Sequence, residues 1–82
     1  MTYHIINLPQ TRLRQRLTFW GVGTQGDTED PRQALIVNED YVNANLNRYD
    51  NGRTTRAILT DIVATHTGDW RELITGLKGE TA

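Results

Sequence analysis

The chain contains no cysteine and no serine, a single lysine among nine basic residues, two prolines and one methionine. Without cysteine there can be no disulfide, no thiolate-ligated zinc and no thiol nucleophile. Without serine the commonest hydroxyl nucleophile is missing too. No apolar run approaches the length of about 20 residues that a membrane helix needs. The start, Met-Thr-Tyr-His, lacks the basic region and following apolar stretch of a secretory signal. The expectation is a cytoplasmic protein with no membrane contact and no cofactor. Its 82 residues are expected to make one domain, 1–82, with 79–82 as a loose tail. A core this small is thin, and oligomerisation is a common remedy, so a homodimer is a candidate state.

What the chain has instead is arginine: eight of its nine basic residues. Arginine forks suit carboxylates, phosphates and aromatic faces. The net charge of −1 hides a gradient, because three arginines precede the first acid, Asp27, and a run of acids then follows at Asp27, Glu29 and Asp30. The near-neutral total argues against strong non-specific DNA binding, which depends on bulk positive charge. Arg12, Arg14 and Arg16 alternate with Leu13, Leu17 and Phe19. In a strand, alternate residues share a face, so the three guanidiniums would project together. Trp20 follows and could add stacking, with Tyr3 near it. Arg12, Arg14, Arg16 and Trp20 are therefore the candidate contact residues for a partner. An acidic protein surface is favoured over nucleic acid. Pairing with the acidic stretch 27–30, within the chain or between two copies, is the competing use of these arginines.

Residues 3–8 read as a β-prone run. Pro9 and Gln10 can turn it into a second strand over 12–20, although Leu13, Leu17 and Trp20 also fit a helix. Residues 33–37 read as a third strand. Asn38 can cap a helix carrying Glu39 and Asp40 in its first turn, with Val42, Leu46 and Tyr49 on one face. The asparagines at 43, 45 and 47 leave a strand over 41–49 as the competitor. Asp50-Asn51-Gly52 ends this element. From 54 or 55 a helix is expected to bury Ile58, Leu59, Ile62 and Val63, and to close at Thr67-Gly68. Asp69 with Glu72 makes a capping-box-like start for a last helix bearing Trp70, Leu73, Ile74 and Leu77. The expected architecture is α+β: a small antiparallel sheet from the N-terminal half, packed by two or three C-terminal helices.

Chemistry for catalysis is sparse. Gly21-Val22-Gly23-Thr24-Gln25-Gly26 matches the G-x-G-x-x-G string, but acids and Pro31 follow where a phosphate-binding helix should begin. A loop between strands is the expectation. His66 has Asp61, Asp69 and Glu72 nearby in sequence, at spacings that match no recurrent metal-ligand pattern. A helix-end histidine is expected, and no metal.

Residues 60–77 resemble a helix-turn-helix. Ala64 and Gly68 hold its characteristic spacing, and Val63, Ile74 and Leu77 fill apolar positions, while Thr67 and Asp69 stand where apolar residues usually pack. That resemblance implies a DNA-binding regulator reading with Arg71, Thr75 and Lys78, as the alternative to a small non-enzymatic interaction protein.

Overall fold

The computed structural model describes residues 1–23, 26–66 and 69–75, the last without its side chain. Strand β1 (Thr2–Asn7) forms the centre of an antiparallel sheet. Along one edge its residues 3–7 pair in register with 59–55 of β5 (Thr55–Leu59). Along the other edge, Thr2 to His4 pair with Asn38 to Ile36 of β4 (Ile36–Asn38), and Ile6 pairs with Phe19 of β2 (Phe19–Trp20). Strand β3 (Asp27–Thr28) closes that side by pairing with β2. The expected α+β class with an antiparallel sheet is what the chain adopts.

The alternation of β1 assigns its neighbours. Ile6 belongs to a cluster with Leu8, Phe19, Ala34, Ile58 and Leu73, covered by Ile62, Val63 and Ile74. Tyr3 and Ile5 belong to another with Val37, Val42 and Ala57, covered by Trp20, Tyr49 and Leu59. Successive β1 side chains thus enter opposite cores, and helices flank both faces.

The segment after β1 departs from the expected strand. Residues 8–14 are helix α1 (Leu8–Arg14). The Asn7 side chain accepts the Gln10 N–H at 3.1 Å, and Pro9 sits in the first turn, where its missing N–H costs nothing. Leu8 and Thr11 face inward at i, i+3. Leu13, expected to be buried opposite the arginines, is 75% exposed. The alternating pattern lost because a strand there would have buried Leu13, whereas a capped helix buries Leu8 and Thr11 instead. The helix stops at Gln15, a non-glycine residue at φ 59°.

The second departure is β5. The helix expected from residue 54 or 55 begins only at Thr60, and Thr55 to Ile58 are buried strand residues. Helix α4 (Thr60–Thr65) carries Ile62 and Val63 half-buried against the first core. Helix α5 (Trp70–Thr75) follows. The apolar positions 58, 59, 62 and 63 fit a helical face, but the central strand needs a second partner. Pairing along Tyr3 to Asn7 gives the backbone of β1 its second edge partner, which a longer helix would not. Residues 67, 68 and 76–82, which include the expected turn and tail, lie outside the described residues.

Residues 39–49 are helical, in two pieces: α2 (Glu39–Ala44), capped by the Asn38 side chain on the Asp40 N–H at 2.9 Å, and α3 (Leu46–Tyr49). Asn45 interrupts them at φ −136°, ψ 50°. Val42 is fully buried, while Leu46, placed on the same face in the sequence reading, is 46% exposed.

Candidate binding surface

Helix α1 decides where the arginines go. Two residues turn a helix through about 200°, so Arg12 and Arg14 leave α1 from different flanks, and the single stripe of a strand does not exist. Arg14 and Arg16 converge on one carboxylate: Arg14 Nη1 lies 3.5 Å from Glu29 Oε2, and Arg16 Nη1 lies 3.2 Å from Glu29 Oε1. The acidic stretch therefore neutralises part of the arginine cluster within the chain. Arg12 donates to the Arg53 carbonyl at 3.3 Å and meets no carboxylate among the described residues.

Gln15 joins this end of α1 to α5. Its Nε2 donates to the Arg12 carbonyl at 2.7 Å, capping the helix end, and its Oε1 accepts from Arg71 Nη2 at 3.0 Å. Residues 56 positions apart are thereby placed side by side. Arg71 thus reaches the end of α1 from which Arg14 and Arg16 extend, Glu29 being the acid that pairs with Arg14 and Arg16 and Asp69 the one that pairs with Arg71. One member of the DNA-binding set, Arg71, therefore lies beside the helix end that carries the protein-contact arginines. The Thr75 side chain and Lys78 lie outside the described residues.

Asp69 holds Arg71 in place. Its carboxylate accepts the Arg71 backbone N–H at 3.0 Å and pairs with the guanidinium at 2.9 Å, while that guanidinium also lies 4.7 Å from the centre of the Trp70 ring. These contacts lower the Asp69 pKa from 3.8, the Arg71 backbone N–H being the largest cause. A depressed carboxylate stabilises the fold above its unfolded pKa and loses that contribution as pH falls through the folded value. The relevant window therefore lies below about pH 4. In a carboxyl-carbon NMR titration, Asp69 is expected to titrate below 3.8, and Arg71→Ala is expected to keep part of the depression, because the backbone N–H, its largest cause, survives the substitution. A return to the ordinary value in that variant would show that the guanidinium is the cause instead.

Trp20 stands apart from the arginines of 12–16. Its ring packs with the core that includes Tyr3 and Ile5, edge-on to Tyr49 at 6.0 Å, with Arg48 as its cationic neighbour at 5.9 Å. Beside it, Gly21, Gly26 and Asp27 line a shallow hollow of about 230 Å³. Tyr3 is buried and offers no stacking face. The glycine string 21–26 joins β2 to β3, with the Gly21 N–H donating to the Gly26 carbonyl. It is a connection between antiparallel strands, as expected, rather than a loop leading into a helix.

The histidines are both engaged. His66 Nε2 contacts the Asp69 carbonyl at 3.1 Å and lies 3.9 Å from the Glu72 carboxylate. Among the described residues no group of three or more metal-ligating side chains gathers. His4, for which the sequence offered no role, is 4% exposed. Its Nε2 faces the Pro31 carbonyl at 2.9 Å, and because a carbonyl only accepts, that nitrogen carries the proton. Its Nδ1 then accepts from the Thr60 hydroxyl at 3.2 Å, and Thr60 accepts from Thr2 at 3.0 Å. This chain of bonds fastens the 3-10 turn Pro31–Gln33 and the start of α4 to the central strand.

Among the described residues no helix is long and apolar enough to cross a membrane. Comparison with protein-family models, with curated proteins and with solved structures finds no match.

Proposed function

We propose that the chain is a small, non-enzymatic, cytoplasmic binding protein whose contact surface for an acidic protein partner is the C-terminal end of α1. The observation that supports this reading is the convergence of Arg14 and Arg16 on Glu29 at the end of α1 that Arg71, from a distant segment, reaches through Gln15, with Leu13 of the same helix 75% exposed. Exposed arginines beside an exposed leucine combine charge complementarity with an apolar contact, the usual composition of a recognition patch. Arg12, Arg14, Arg16 and Arg71 are the residues assigned to it. Trp20 is left out, because its ring is engaged on Tyr49 and Arg48. A second copy of the chain is among the candidate partners.

Reversing Arg12, Arg14 and Arg16 to Glu tests the reading. All three residues are exposed, so the melting temperature is expected to move by only a few degrees. Affinity capture followed by mass spectrometry is expected to recover an acidic partner with the wild type and to lose it with the variant. Equal recovery by both would remove this surface from consideration. The DNA-binding alternative makes a different forecast. A DNA pool would be shifted by the wild type, the shift would fall steeply with salt, and Arg71→Ala would abolish it.

A further inference from the structure

The Arg14–Arg16 pair is already occupied, and we propose that Glu29 is an internal stand-in for the partner's carboxylate. The site would then take a glutamate- or aspartate-bearing protein segment by exchange with Glu29. The inference rests on the binding reading above and specifies its ligand. Each Glu29 oxygen is held by a different arginine, at 3.2 and 3.5 Å. The side chains of Arg14, Arg16 and Glu29 are 43, 71 and 38% exposed, so an outside carboxylate can reach the same forks. Each arginine gives one long contact rather than a bidentate pair, which leaves room for a better ligand.

The neighbouring acids are committed elsewhere. Asp27 accepts from the Asn7 side chain at 2.9 Å, and Asp30 caps the turn at Pro31–Gln33 through the Arg32 N–H at 2.9 Å. Thr28 is paired with Phe19, and its hydroxyl accepts the Asp30 N–H at 3.1 Å. The backbone on both sides of Glu29 is thus anchored, and its side chain can leave the arginines without moving the chain.

The test is binding of fluorescein-labelled hexaglutamate at low salt, read by anisotropy. Glu29→Gln keeps the shape and removes the charge, and is expected to bind about two- to fivefold tighter than the wild type, the release of one exposed ion pair. Glu39→Gln makes the same change of net charge beside Met1, at the far end of β1 from α1, and is expected to leave affinity unchanged. Arg14→Met with Arg16→Met is expected to abolish binding. In the wild type, the Glu29 carboxyl-carbon resonance is expected to move as peptide is added.

Binding that needs both arginines but is unchanged or weakened in Glu29→Gln, or a Glu29 resonance unmoved at saturation, overturns the exchange and leaves the binding reading standing. Equal tightening by Glu39→Gln overturns the exchange as well, since net charge would then account for the effect. No binding by the wild type or Glu29→Gln, or full binding without the two arginines, overturns both. Preference for an oligothymidylate over the peptide overturns the acidic-protein ligand in favour of a phosphate backbone.

Discussion

Phe19→Ala is expected to cost about 3–5 kcal/mol of unfolding free energy, which for 82 residues approaches the whole stability of about 4–12 kcal/mol. Phe19 is 1% exposed, pairs with Ile6 at the junction of β1 and β2, and meets the buried His4 ring edge-on at 5.4 Å. It also belongs to the cluster that seats Leu73 of α5. Its removal would therefore open a cavity under α4 and α5 and deprive His4 of its aromatic neighbour. Ile62→Ala, at a half-buried position on α4, is expected to cost clearly less. Urea denaturation of the two variants checks the order, and a Phe19→Ala midpoint equal to that of the wild type would refute the assignment of this core.

Asn51→Ala is the polar substitution with the largest expected effect, about 2–4 kcal/mol. The Asn51 Oδ1 accepts the N–H groups of Arg53, Thr54 and Thr55 at 2.7, 2.7 and 3.3 Å. Its Nδ2 donates to the Asn47 carbonyl at 2.7 Å and the Thr54 hydroxyl at 2.9 Å. One amide thus shapes the entry to β5, with Gly52 supplying the φ of 76° that the turn requires. Asp50 extends the same device by accepting the Ala57 N–H at 3.4 Å. Side chains thereby occupy N–H groups that an edge strand would otherwise offer to another chain. Asn51→Asp keeps the acceptor and loses the donors, so its cost is expected to be the smaller. Amide exchange at Thr55 should rise in the alanine variant, and unchanged protection there would show that β5 holds its own edge.

The sequence was most legible where a side chain acts on its own backbone. Asn38 before Glu39 and Asp40 announces α2, and Asp69 announces α5, because capping is a local event within one turn. It was least legible where a pattern fits two periods. Residues 12, 14 and 16 alternate as a strand would, yet Asn7 and Pro9, read as strand end and turn, are also the cap and first turn of a helix. Positions 58, 59, 62 and 63 suit a helical face, but 58 and 59 close β5 and 62 and 63 lie in the middle of α4. The site was half legible. Charge places the arginines against the acidic stretch 27–30, but that Glu29 is the acid that meets Arg16, 13 residues away and within the same chain, follows from no local pattern.

What the sequence determined by itself is the class of the protein: a small α+β fold without thiols, with an arginine-rich and an acidic stretch in its first half. Composition and capping settle these because they need no knowledge of distant neighbours. Tertiary structure decided the rest. The central strand recruited residues 55–59 as its second partner, since β1 would otherwise have left the backbone groups of that edge unpaired. That pairing brought α5 back over the sheet, where Arg56 donates to the Ile74 carbonyl at 3.0 Å, and set Arg71 against Gln15. The placement of Arg71 beside α1 is a product of those long-range pairings, which is why the arginines could be named from the sequence but their arrangement could not.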